Sequence, residues 1–118
     1  MADRAFFIGW GNPVRGREKV ALQVFNESVQ YWAQLQQTGQ IESFEVAMME
    51  PHGGDLAGFA ILRGSGAQLN ALRPSAEFQK NVTRANLIVE NLGVVGAVIG
   101  EGLTNDMAVY AEQIAELT

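Results

Sequence analysis

The stretch Ile41–Gly64, IESFEVAMMEPHGGDLAGFAILRG, decides the architecture. From Ile41 to Glu50 apolar and polar residues alternate, the period of a strand with one covered face, and Leu56 to Arg63 is strand-like again. Between them Gly53-Gly54 is a strong signal for a two-residue hairpin, because both central positions of a type I′ turn take positive φ. A turn centred there pairs His52 with Asp55 and, counting outward, Met48 with Phe59, Val46 with Ile61 and Phe44 with Arg63. One face then carries Phe44, Val46, Met48, Phe59 and Ile61. The other carries Glu45, Ala47, Met49, Gly58, Ala60 and Leu62. The larger set is expected beneath helices, which leaves the smaller face to meet something else.

On the N-terminal side, AFFIGWG (Ala5–Gly11) reads as a strand ended by the breakers of NPVRG. A helix from about Arg17 to Thr38 follows, with Leu22, Phe25, Val29, Trp32 and Leu35 at three- and four-residue steps and Gly39 placed to stop it. On the C-terminal side, Ser65 and Gln68 have capping-box spacing and open a short helix with Leu69 and Leu72, which Pro74 interrupts. A second helical run, about Ser75 to Asn91, sets Phe78, Val82, Ala85 and Val89 on one stripe. LGVVGAVIG (Leu92–Gly100) reads as a strand buried on both sides. Thr104 is placed to cap a last helix to Leu117, with Asp106 in its first turn. The order is β-α-β-β-α-β plus a terminal helix, one domain over residues 1–118 with no repeat or linker.

The chain has 118 residues, 47% of them apolar and 18% charged, which suits one globular domain that folds without a cofactor or staple. With no cysteine it has neither disulfides nor thiolate metal sites. The apolar run in MADRAFFIGWGN is too short for an export signal or a membrane span, so a cytoplasmic protein is the expectation. A net charge of −5 and a pI near 4.7 repel phosphate backbones.

Several motifs suggest chemistry. Gly58-Phe59-Ala60 has the core of an RNA-recognition strand, but the positions that need a basic residue and two further aromatics hold Ala57, Ile61 and Gly64, so no platform for bases exists. GWGNPVRGRE lies between strand and helix as phosphate loops do. Its third fingerprint glycine falls at Val14, and as a P-loop it is followed by Arg17-Glu18 where Lys and a hydroxyl residue belong. Arg15 and Arg17 nevertheless sit near a helix N-terminus, where cations are disfavoured unless an anion joins them, and with Asn12 they form a candidate carboxylate or phosphate site. His52 is the only histidine, so a metal site would depend on carboxylates, and none is expected. Trp10 and Trp32, with Phe25 and Tyr31, are either core or the walls of an aromatic pocket. Glu45, mid-strand among small residues, is a candidate proton carrier or the mate of a cation.

Element order, length, doubly apolar strands and terminal helix together resemble the dimeric α+β barrel superfamily with its ferredoxin-like fold, and GWGNPVRGREK, EPHGGDLAGFAILRG and VENLGVVGAVIGEG look like stretches of small bacterial proteins of unassigned function. The resemblance implies an antiparallel four-stranded sheet and a homodimer packed through the helix-free faces. It also implies a range of activities, including cofactor-free monooxygenases and small isomerases. Haem-degrading members use an Asn near the first strand, a Trp on the third and a His on the second helix; Asn12 is roughly placed, but the Trp and the His are missing. The leading expectation is binding of a small, partly apolar organic molecule between helices and sheet, with Trp10, Asn12, Arg15, Arg17 and Trp32 as ligand contacts. One alternative is a metal- and flavin-free enzyme using Glu45 or His52 as base. Another is a structural or regulatory module whose partner is a protein.

Overall fold

The computed structural model describes residues 2–118. Its elements are β1 (Arg4–Trp10), α1 (Glu18–Gln37), β2 (Ser43–Met48), β3 (Gly58–Gly64), α2 (Gly66–Leu72), α3 (Ala76–Asn86), β4 (Gly93–Val98) and α4 (Gly100–Leu117). The strands form one antiparallel sheet in the order β2-β3-β1-β4. Helices α1, α2 and α3 contribute buried side chains beneath one face, so the expected β-α-β-β-α-β layout with an extra terminal helix is present.

The hairpin register differs by one residue from the sequence reading. Met48 lies opposite Gly58, Val46 opposite Ala60 and Phe44 opposite Leu62. A one-residue slip moves a strand's whole side-chain set to the other face. Beneath the helices β3 therefore presents Gly58, Ala60 and Leu62, while Phe59 and Ile61 face the open side. Volume explains the choice: a Cβ at Gly58 would come within 2.9 Å of the Trp10 ring and 2.8 Å of the Met48 sulfur, so the covered side of β3 must be small where large side chains converge on it. The connection is also no two-residue turn. Residues 49–57 form a loop in which Gly53 has φ of 82°, Gly54 does not share that conformation, and Met49 N–H donates to Ala57 O at 2.9 Å.

Other boundaries shift for local reasons. The buried stripe of α1 is Ala21, Val24, Ser28, Trp32 and Leu35, rotated from the expected one, and Leu22 is 62% exposed. Helix α3 ends at Asn86, because residues 88–90 turn back to bond the loop after β1: Val14 N–H donates to Ile88 O at 2.9 Å and Gly11 N–H to Glu90 O at 2.7 Å. Strand β4 is an edge strand with Val95 57% exposed, not a strand covered on both sides. Helix α4 starts at Gly100 with Glu101 in its first turn, and Thr104 lies inside it, its hydroxyl bonding back to Gly100 O at 3.4 Å.

The core under the sheet joins Phe6, Ile8, Ala60 and Leu62 to Trp32, Leu35, Leu69, Leu72 and Phe78. Entry to α2 is fixed by the expected capping box: Gln68 N–H donates to Ser65 Oγ at 3.1 Å and Ser65 N–H to Gln68 Oε1 at 2.7 Å. Ser65→Ala is expected to cost about 1 kcal/mol in urea unfolding, with an unchanged m-value, because it leaves one helix N–H without its acceptor.

Helix α4 contributes one buried residue, Gly102, which lies against Asp3 O and Val98. Beyond it Leu103, Met107, Tyr110, Ile114 and Leu117 are between 46% and 84% exposed. Their steps of four, three, four and three trace a seam of coiled-coil period along a helix of about 27 Å.

Candidate functional site

Two apolar clusters pack separately. One lies under the sheet; the other joins Ala21 and Val24 of α1 to Ile88, with Ala85 and Val89 against them. A cavity of about 410 Å³ is lined from both. Strand β1 supplies Ile8 and Trp10, α1 supplies Ala21, Val24, Phe25, Ser28 and Trp32, α3 supplies Asn81, Val82 and Ala85, and the segment after α3 supplies Ile88, Val89 and Leu92. Exposed Leu22 and Met48 also line it and mark where it opens to solvent. The volume is that of small-molecule sites, and the lining is overwhelmingly apolar.

Three of the sequence candidates meet here. Trp10 stands edge-on to Phe25, ring centroids 6.1 Å apart, and forms a wall. Asn12 lies on the rim, where its backbone carbonyl accepts from Glu90 N–H at 2.9 Å. Trp32 is 3% exposed, and its indole Nε1 has no hydrogen-bond partner among the described residues.

The other candidates lie elsewhere. Arg15 and Arg17 are exposed and do not line the cavity; Arg17 sits at the N-cap of α1 without a side-chain cap. Instead Glu18 meets the loop, its Oε1 accepting from Gly16 N–H at 3.0 Å, and it is the one charged side chain on the cavity's lining. Glu45 points from the helix-free face and pairs with Arg63 at 3.2 Å, with 65% of its side chain exposed. His52 is built into the 49–57 loop: Gly54 N–H donates to its Nδ1 at 3.2 Å, which leaves Nε2 to carry the proton and donate to Leu56 O at 2.8 Å. Among the described residues no group of three or more His, Cys, Asp or Glu is placed to hold a metal ion.

Ser28 and Asn81, polar residues of the cavity wall, were missed in the sequence. Ser28 is 5% exposed, donates to Val24 O at 2.8 Å and accepts from Asn81 Nδ2 at 2.9 Å. The signal was a serine interrupting the apolar stripe of α1. Next to Ser28 on α1 and one turn beyond Asn81 on α3, Glu27 and Arg84 form a two-pronged ion pair, 2.9 Å at its shortest, that ties the helices together on the solvent side. Half exposed, it contributes at most about 1 kcal/mol. On the same outer seam burial raises the Tyr31 phenol pKa above its ordinary value; the nearby Ser75 hydroxyl works against this and the Glu77 carboxylate adds to it.

Known structures agree on the architecture. The chain has a ferredoxin-like fold. It superposes with a TM-score of 0.60 on a dimeric Bacteroides fragilis NCTC 9343 protein of unknown function and ferredoxin-like fold, at 12% identity over 81% of this chain and 96% of that one. A Chloroflexus aurantiacus J-10-fl protein provisionally assigned as an antibiotic biosynthesis monooxygenase gives a TM-score of 0.52 at 14% identity, over 82% of this chain and 93% of that one. SnoaB, a cofactor-independent oxygenase from Streptomyces nogalater, gives 0.52 at 12% identity, over 84% and 93%. No protein-family model matches the sequence, and no curated protein matches it either.

Proposed function

We propose that this protein binds a small, mostly apolar organic molecule in the cavity between α1, α3 and the sheet, and does so as a homodimer. The separation of the core into two clusters with a lined space between them carries the reading, since a structural module would gain stability by closing that space. A cofactor-free oxygenase or isomerase is the alternative, and two of the structural neighbours suggest its oxygenase form. It finds less support in the site, because Glu45 and His52 lie outside the cavity and Glu18 is its one carboxylate. A cytoplasmic setting belongs to the same proposal, and no helix among the described residues is long and apolar enough to cross a membrane.

The dimer reading rests on two uncovered apolar surfaces. On the helix-free face Phe7 stacks on Phe59, centroids 5.4 Å apart, beside Ile61 and exposed Val95. Because those rings cover each other and Arg63 is held by Glu45, this face is poorly suited to nucleic-acid bases. The second surface is the seam of α4, continuous with edge strand β4. The helix carries four acidic residues and no basic one, which disfavours an anionic lipid surface as its cover. A second copy fits: a seam of period 3.5 is made for another protein element, and the Bacteroides fragilis neighbour is dimeric.

A titration of ¹⁵N-labelled protein with 2-ethylnaphthalene, a neutral bicyclic probe, tests the cavity. Saturable shifts confined to residues of α1, α3 and the Ile88–Leu92 segment are expected; no shifts up to the probe's solubility limit would remove the binding function.

A further inference from the structure

Resting on the cavity reading above, we infer that the ligand is uncharged and is held at the α3 wall by Asn81. Its carbonyl oxygen, ether oxygen or ring nitrogen accepts the second N–H of the Asn81 carboxamide. A primary amide carries two N–H donors and one acceptor oxygen. Asn81 Nδ2 gives one proton to Ser28 Oγ at 2.9 Å, and among the described residues nothing takes the other. Asn81 is half-buried and lines the cavity, so an occupant can supply the missing acceptor.

Ser28 sets the orientation of that amide. Its hydroxyl donates its proton to Val24 O at 2.8 Å, so toward Asn81 it can only accept, and the amide nitrogen rather than the oxygen must face it. Ser28 lines the cavity but not the polar cleft on the solvent side, which Asn81 borders together with Glu27, Tyr31, Lys80 and Arg84. The nitrogen end of the amide is therefore its cavity end, and Oδ1 is left to the solvent side. The other unpartnered donor of this wall, Trp32 Nε1, has no open surface and is closed to an occupant.

The charges around Asn81 narrow the class. Lys80 and Arg84 border the cleft and not the cavity, and Arg84 is already held by Glu27. No lysine, arginine or histidine lines the cavity, and its one charged residue is the acid Glu18. A carboxylate or phosphate would lose its hydration there without gaining a counter-charge. An apolar body with a neutral acceptor fits both the lining and the free amide proton.

A matched pair of probes isolates the contact: 2-acetylnaphthalene offers a carbonyl where 2-ethylnaphthalene offers a methylene, at nearly the same shape. Affinities of both for the wild type and for Asn81→Leu, which keeps the size of the side chain but loses its N–H groups, close a double-mutant cycle. The ketone-to-hydrocarbon affinity ratio is expected to fall about five- to tenfold in Asn81→Leu, the size of one hydrogen bond. Loss of the bond to Ser28 acts on both probes alike and cancels in the ratio. In the wild type one of the two Asn81 side-chain amide protons should move downfield with the ketone and not with the hydrocarbon, a readout that stands even if the variant folds poorly. An unchanged ratio, or amide protons that move no more with the ketone than with the hydrocarbon, would overturn the inference while leaving the cavity a binding site. Tighter binding of 2-naphthoate than of either neutral probe would overturn the uncharged class. If neither neutral probe binds, the cavity reading fails and this inference falls with it.

Discussion

Met107→Glu combined with Ile114→Glu is expected to turn the proposed homodimer into a monomer, raising the dissociation constant by more than about a hundredfold in light scattering over a concentration series. Each glutamate would place a charge on the seam of α4, and an unpaired charge in a dry contact costs several kcal/mol. The wild-type side chains are 52% and 46% exposed in the single chain, so their loss leaves its core untouched. The helix itself argues for a cover. It has no side-chain N-cap bond and no basic residue in its last turn, and it packs on its own domain only around Gly102. An 18-residue helix so placed is marginal in water and depends on packing for its stability. The separated variant should therefore also lose helical ellipticity while the sheet core keeps its cooperative unfolding. An intact dimer in the variant, or a wild type that is monomeric with α4 folded, would defeat the assignment of α4 to a second copy.

Strand and helix order was legible because each segment repeats its own period: alternation in Phe44–Met48, and three- and four-residue steps through Trp32 and Leu35 and through Phe78 and Val82. Capping chemistry placed the start of α2 correctly, since Ser65 and Gln68 satisfy each other's backbone groups within one turn. Register was not legible. Gly53-Gly54 looked like a hairpin, yet the local preference lost to volume: the covered face of β3 had to be Gly58, Ala60 and Leu62 to admit Trp10, Trp32 and Phe44. Nothing local to β3 reports which side chains arrive from other elements.

The site was half legible for the same reason. Aromatic residues at a strand end and on a helix face made Trp10 and Trp32 candidates, Asn12 was one through the loop it shares with Arg15 and Arg17, and the fold brings Trp10, Asn12 and Trp32 to one cavity. Charge drew attention to Arg15, Arg17, Glu45 and His52, whose surroundings are loop and surface. Ser28 and Asn81, 53 residues apart, meet only because α1 and α3 pack side by side.

Filling the cavity separates its role from that of the fold. Ala85→Phe is expected to abolish binding of 2-ethylnaphthalene, a loss of more than about a hundredfold, while thermal stability stays level or rises by a few degrees. Ala85 lies on α3 against Val89 and the Ala21–Val24–Ile88 cluster, and it lines the space from that side. A phenyl ring there enters volume that the protein leaves vacant, so new apolar contacts accompany the loss of room. The two effects run in opposite directions only if that space is held open for a ligand at a cost in stability. If the variant instead melts earlier and still binds the probe, Ala85 borders close-packed core and the occupant sits elsewhere. If it melts later and still binds, the cavity is a packing defect and the homodimer interface becomes the main candidate for function. Loss of binding with retained stability is the one outcome that ties the division of the core into two clusters to what the protein does.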